Sequence, residues 1–93
     1  MTITKARKIK PKQQEWFHYR AGELHVEGLC LADIAREVPT PFYCYSAEAM
    51  RWAYSVLADA LRPIGVSICF AVKANSNIAV LRLLSELGCG MDI

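Results

Sequence analysis

VSICFAVKANSN, residues 66–77, is the stretch on which the fold turns. Val66 to Val72 is an almost unbroken apolar run, bounded by Pro63 and Gly65 before it and by Asn75-Ser76-Asn77 after it. A short apolar run between turn signals is the pattern of a strand buried on both faces, as in a parallel sheet. The asparagines mark a turn, and Asn77 is a candidate cap for the next helix. Ile78, Leu81, Leu84 and Leu87 recur there at helical spacing, and Gly88 is a natural stop. Met91 to Ile93 opens a further strand. Strand, helix, strand is a βαβ unit.

Upstream, Ser46 is placed to cap a helix, with Glu48 favouring its positive end and Met50, Ala53, Leu57 and Leu61 forming an apolar stripe. Pro63 and Gly65 end that helix. Phe42 to Tyr45 reads as a strand. Leu31 to Val38 reads as a short helix with Leu31, Ile34, Ala35 and Val38 on one face, stopped by Pro39 and Pro41. Trp16 to Arg20 and Glu23 to Val26 are β-prone runs around Ala21-Gly22, which predicts a hairpin. The order as a whole predicts an α/β fold with a parallel sheet, preceded by a β-hairpin.

The chain has 93 residues, enough for one small domain, and its 54% hydrophobic content is not that of a disordered segment. The formal charge of +2 is concentrated at one end. Lys5, Arg7, Lys8, Lys10 and Lys12 lie in the first twelve residues, and beyond them six basic residues face nine acidic ones, −3 in all. Residues 1–14 read as a basic tail. It suits either an anionic partner such as nucleic acid or membrane, or a solvated, frayed terminus; the absence of interleaved aromatics favours the second, with no nucleic-acid partner expected. No apolar run approaches a membrane span and no apolar segment follows the first charges, so a cytoplasmic location is expected. Cys30, Cys44, Cys69 and Cys89 include no C-x-x-C pair, and the expectation is reduced cysteines without metal, those at 44 and 69 buried in apolar runs. His18 and His25 read as exposed or satisfied polar positions rather than metal ligands.

Lys73 is the chemically interesting residue. It follows the apolar run at the carboxyl end of the expected strand, which is where active sites of (β/α) barrels are built. Desolvation lowers the pKa of an ammonium group and exposes the neutral amine that Schiff-base chemistry requires. The alternative is a lysine that ends a strand and reaches into solvent.

The wider strings add a resemblance. FAVKANSN at 70–77 is similar to the cofactor-lysine segment of the alanine-racemase-like decarboxylases. FHYRAGELHVEG at 17–28, TPFYCYS at 40–46 and AVLRLLSELG at 79–88 resemble the diaminopimelate decarboxylases, in that family's order and spacing. The resemblance covers residues 16–93. It implies the opening portion of an alanine-racemase-like (β/α)8 TIM barrel, with residues 1–14 a tail, 15–30 a hairpin segment that in the family packs on a later β-domain, and 31–93 the first βα units of the barrel. It also implies pyridoxal 5'-phosphate as cofactor, held on Lys73. The implied reaction is decarboxylation of meso-2,6-diaminopimelate to L-lysine, in a parent enzyme that is a homodimer. An ornithine or arginine decarboxylase and a non-catalytic homologue of the same fold are the alternatives. Asp92, in GCGMDI, is similar to the family's second-strand segment. It is either a carboxylate that orients or balances the lysine, or an ordinary strand-end residue. Pro39 stands where the family usually has glycine. A full barrel takes about 250 residues, and the family's phosphate loop, pyridinium partner, substrate clamp and partner-subunit cysteine lie beyond Ile93. The 93-residue chain alone is therefore expected to be inactive.

Overall fold

In a computed structural model of the protein the residues described are 16–93; the expected basic tail at 1–14 lies outside them. The chain divides into two compact units, parted at Ala49 and Met50.

The first unit is a three-stranded antiparallel sheet followed by a short helix. Strands β1 (Phe17–Arg20) and β2 (Glu23–Val26) form the expected hairpin, in the register Phe17↔Val26 to Arg20↔Glu23. Its two-residue loop has positive φ at both Ala21 (52°) and Gly22 (79°). That is the primed geometry whose twist matches the strands. A second two-residue turn, with Glu27 at φ 54°, leads to β3 (Leu29–Cys30), which adds to the other side of β2. The sequence gives no sign of this strand, because two residues carry no periodicity. Helix α1 starts at once but runs only Leu31–Ala35, short of the expected Val38, which is 42% exposed.

Phe42 to Tyr45 is not a strand. Its residues alternate between half-buried (Phe42, Cys44) and exposed (Tyr43, Tyr45), and Tyr43 stacks on Tyr45. The period of two is real, but no neighbouring strand pairs with the segment among the described residues, and a strand is defined by its ladder. Helix α2 (Ala47–Leu61) begins where Ser46 predicts. The Ser46 hydroxyl accepts from the Ala49 N–H at 3.0 Å and donates to Glu27 Oε2 at 2.6 Å, and Glu27 Oε2 also accepts from the Glu48 N–H at 3.2 Å. Two side chains thus satisfy two of the helix's otherwise unpaired amides.

The second unit holds the remainder of α2 and a βαβ unit. Met50, Tyr54 and Leu61 are half-buried, whereas Ala53 and Leu57 of the expected stripe are exposed. Leu61 leads into a single 3₁₀ turn (Arg62–Ile64), closed by Gly65 at φ 68°. Strand β4 is Cys69–Ala71, three residues rather than the seven expected, and Val66 is 49% exposed. An apolar run becomes a strand buried on both faces only where other strands and helices cover it. Among the described residues β4 has one sheet neighbour, β5 (Gly90–Asp92), which it pairs in parallel: Cys69↔Gly90, Phe70↔Met91, Ala71↔Asp92.

Helix α3 (Ile78–Glu86) connects the two strands. Its end closes as a Schellman motif: the Gly88 N–H donates to Ser85 O at 3.0 Å and the Cys89 N–H to Leu84 O at 3.1 Å, with Gly88 at φ 101°. Val80 and Leu84 are its buried residues and pack with Cys89. Met50, Tyr54, Ile68, Phe70, Leu83 and Met91 surround them. The inward face is rotated by part of a turn from the expected stripe, since Ile78 is 70% exposed and Val80 is in the core. Gly90 sits where β5 approaches β4 closely. A Cβ there would lie 2.9 Å from Cys69 Sγ, tighter than real contacts allow. Cys69 is itself exposed and Cys44 half-buried, and the buried cysteine is Cys89.

Candidate functional site

The site begins where β4 ends. Ala71 leaves the ladder and Val72–Ala74 makes one 3₁₀ turn with Lys73 at its centre. The turn is closed by the Asn75 N–H donating to Val72 O at 3.1 Å. At Asn75 the backbone becomes extended (φ −163°, ψ 109°), and the chain heads for α3. Two asparagine side chains hold this passage. Asn75 Oδ1 accepts from the Asn77 N–H at 3.0 Å, and Asn77 Oδ1 accepts from the Ala79 N–H at 2.8 Å. Asn77 is therefore the cap that the sequence predicts. Asn75, expected only as part of the turn, has a bracing role of its own. The signal for that role is present in N-S-N, because asparagine two residues before an amide is the Asx-turn arrangement.

Lys73 thus stands at the carboxyl end of a strand in a parallel pair, as expected, but on a turn rather than on the strand itself. It is exposed, so residues 16–93 do not supply the apolar surroundings expected for its amine. Asp92 is the last residue of β5, across the ladder from Ala71 and thus at the same end of the sheet as Lys73. Both are exposed, and no ion pair joins them among the described residues.

The other candidates lie elsewhere. His18 and His25 are cross-strand partners in the hairpin, stacked with ring centroids 5.6 Å apart, and His25 Nδ1 lies 3.0 Å from Glu23 O. Cys89 is buried, with its Sγ directed at Gly90 O (3.3 Å) and Ile68 O (3.7 Å). Burial pushes its thiol above the ordinary range, which keeps it neutral and weakly nucleophilic. A shallow cleft of about 410 Å³, lined by Tyr54, Arg62, Ser67 and Cys69 among others, opens at the amino end of the two parallel strands and includes neither Lys73 nor Asp92. Among the described residues no cluster of three or more histidine, cysteine or acidic side chains is arranged to hold a metal, and no helix is long and apolar enough to cross a membrane.

An amine at the end of a parallel strand, held on a braced turn and engaged in no ion pair among the described residues, suits covalent attachment to an aldehyde. Comparison with known proteins identifies the family. Residues 48–93 match the family model described as pyridoxal-dependent decarboxylase, pyridoxal binding domain. A diaminopimelate decarboxylase of Pseudomonas fluorescens is 49% identical over 83% of this chain and 18% of its own length. One of Aquifex aeolicus is 40% identical over 84% of the chain and 18% of its own length. A crystal structure of an Aquifex aeolicus protein superposes with a TM-score of 0.80 at 36% identity, covering 91% of this chain and 21% of that one. The chain spans under a fifth of the length of the first two of these relatives. With residues 48–93 in its pyridoxal-binding domain, the chain belongs to the pyridoxal-dependent decarboxylase family.

Proposed function

We propose that this chain is the amino-terminal portion of a decarboxylase that converts meso-2,6-diaminopimelate to L-lysine and carbon dioxide. In this reading the βαβ unit of residues 66–93 opens a (β/α)8 barrel and Lys73 is the residue that holds pyridoxal phosphate. The parent enzyme is a cytoplasmic homodimer. The observation that carries the proposal is the position of Lys73, on the 3₁₀ turn that directly follows the carboxyl end of β4 and at the same end of the parallel pair as the end of β5.

When bound, pyridoxal phosphate supplies a ring that accepts the electron pair left behind as carbon dioxide departs. The chain's own residues have simpler tasks. Lys73 offers Nζ as the attachment point, and its four-carbon stem spans the gap between backbone and ligand. When not holding the cofactor, Nζ would be available to deliver a proton to the α-carbon that carbon dioxide leaves. Asp92, at the same end of the sheet, is the carboxylate that would orient the lysine or balance its charge.

The test is covalent capture. The parent enzyme, with the downstream sequence restored, is incubated with pyridoxal phosphate, reduced with borohydride and mapped by peptide. The label is expected on Lys73, and Lys73→Ala removes it together with carbon dioxide release from meso-diaminopimelate. The other lysines of the chain, at positions 5, 8, 10 and 12, serve as internal controls. A label found on one of them or on any further lysine, and retained in Lys73→Ala, overturns the assignment. Turnover of ornithine or arginine in preference to diaminopimelate overturns the substrate and leaves the lysine standing.

A further inference from the structure

We infer that Asn75 is the positioning residue for Lys73, an inference that rests on the reading of Lys73 as the cofactor lysine. The structure gives the two asparagines of the N-S-N string different work. Asn77 Oδ1 accepts from Ala79 N at 2.8 Å, inside the first turn of α3, and so serves the helix. Asn75 Oδ1 accepts from Asn77 N at 3.0 Å, outside the helix, and so serves the loop. Asn75 is also where the backbone leaves the 3₁₀ turn that carries Lys73, and its own N–H closes that turn on Val72 O at 3.1 Å. One residue therefore ties the lysine-bearing turn on one side to the capped helix on the other. It is half-buried, while Lys73 and Asn77 are exposed.

The consequence for Lys73 comes from its length. A lysine amine is the far end of a flexible stem with several rotatable bonds, so its placement depends on a fixed origin. Upstream, the origin is fixed by the β4–β5 ladder, which ends at Ala71↔Asp92. Downstream, the side-chain bond that bridges from the lysine turn to the α3 cap is the one made by Asn75. Alanine at 75 keeps the backbone bond to Val72 O but removes the acceptor for the Asn77 amide. The loop from Ala74 to Asn77 is then free to move, and the amine samples more directions. Aspartate at 75 retains an oxygen acceptor at the same place.

The experiment uses the parent enzyme with pyridoxal phosphate as the probe and compares three variants. Covalent capture on Lys73 is timed by borohydride quenching, exchange of the Asn77 amide is measured without cofactor, and thermal unfolding is recorded for each. Asn75→Ala is expected to slow capture by about tenfold or more, the effect of misplacing a reacting group, and to speed exchange of the Asn77 amide, with little change in Tm. Asn75→Asp restores both. Asn77→Ala lowers Tm through loss of the helix cap and leaves the capture rate within about twofold of the parent. Capture by Asn75→Ala at the parent rate overturns the inference alone. So does a loss of capture in Asn75→Ala and Asn77→Ala that simply tracks their Tm. Failure of the parent protein itself to capture pyridoxal phosphate on Lys73 overturns the functional reading as well, and the two failures are told apart by that control.

Discussion

The two units of the chain are closed by different chemistry. In the described part of the first, residues 16–49, the most buried side chain is a hydroxyl: Ser46 is 3% exposed and Val26 4%. In the second, residues 50–93, the buried residues are Val80, Leu84 and Cys89, an apolar cluster ringed by half-buried hydrophobics. The first unit is organised by directional bonds, with Glu27 and Ser46 on the start of α2 and positive-φ turns that set strand register. The second is organised by burial, and the side-chain bonds of Asn75 and Asn77 brace the loop next to Lys73. Directional bonds fix geometry and contribute modestly to stability, because folding exchanges them for bonds to water. Apolar burial contributes more and specifies less.

That contrast predicts where truncation hurts most. Leu84 is in the cluster and also supplies the carbonyl that accepts the Cys89 N–H. Leu84→Ala leaves the carbonyl in place but removes the side chain, and is expected to cost about 2–4 kcal/mol. Urea unfolding measures it. A cost below about 1 kcal/mol would mean that the second unit is not organised by its apolar cluster, and the contrast would fail.

The same contrast explains what is legible in the sequence. The hairpin, the Ser46 and Asn77 caps, the Gly88 stop and the parallel βαβ order can all be read there, because each depends on residues a few positions apart or on the order of elements. Position 73 at the carboxyl end of a strand is legible for the same reason. What escapes a local reading depends on distant neighbours. The Val66–Val72 run has the pattern of a fully covered strand, yet cover is a property of surrounding elements, and only Cys69–Ala71 is paired. Periodicity points Leu57 and Ile78 inward, but α2 and α3 both hold enough apolar residues to support more than one face, and packing selects Tyr54 and Val80. Phe42–Tyr45 has strand alternation without a partner among the described residues. The role of Glu27 has no signal at all, since it acts 19 residues away from Ser46 and from a backbone angle that glutamate seldom adopts.

A smaller effect is expected at the directional bonds of the first unit. Ser46→Ala removes an N-cap acceptor and a donor to Glu27, and is expected to cost about 1 kcal/mol, up to about 2. Glu27→Gln keeps an oxygen for the Ser46 hydroxyl and the Glu48 amide but loses the charge that favours the start of a helix, so its cost is expected to be about half as large or less. The double variant is informative because the two side chains touch. A total smaller than the sum of the single costs shows one shared bond network. Strict additivity of the two would show that Ser46 and Glu27 cap α2 independently, and the first unit could no longer be described as one polar closure.

The least effect is expected where the two units are alike. Arg36 pairs with Asp33 in the first and Arg62 with Asp59 in the second, at 2.9 Å in the latter; both pairs are three residues apart. All four side chains are more than 60% exposed. In such positions the Coulomb attraction is weak, is screened by salt and is opposed by the entropy of holding two long side chains together. Arg36→Ala and Arg62→Ala are each expected to change unfolding free energy by less than about 0.5 kcal/mol, and raising the salt concentration should shrink even that difference. The pair in the polar unit has no advantage over the pair in the apolar one, because its environment is solvent and not the unit's interior. An effect of about 1 kcal/mol or more at Arg36, with none at Arg62, would mean that the polar organisation of the first unit extends to its surface.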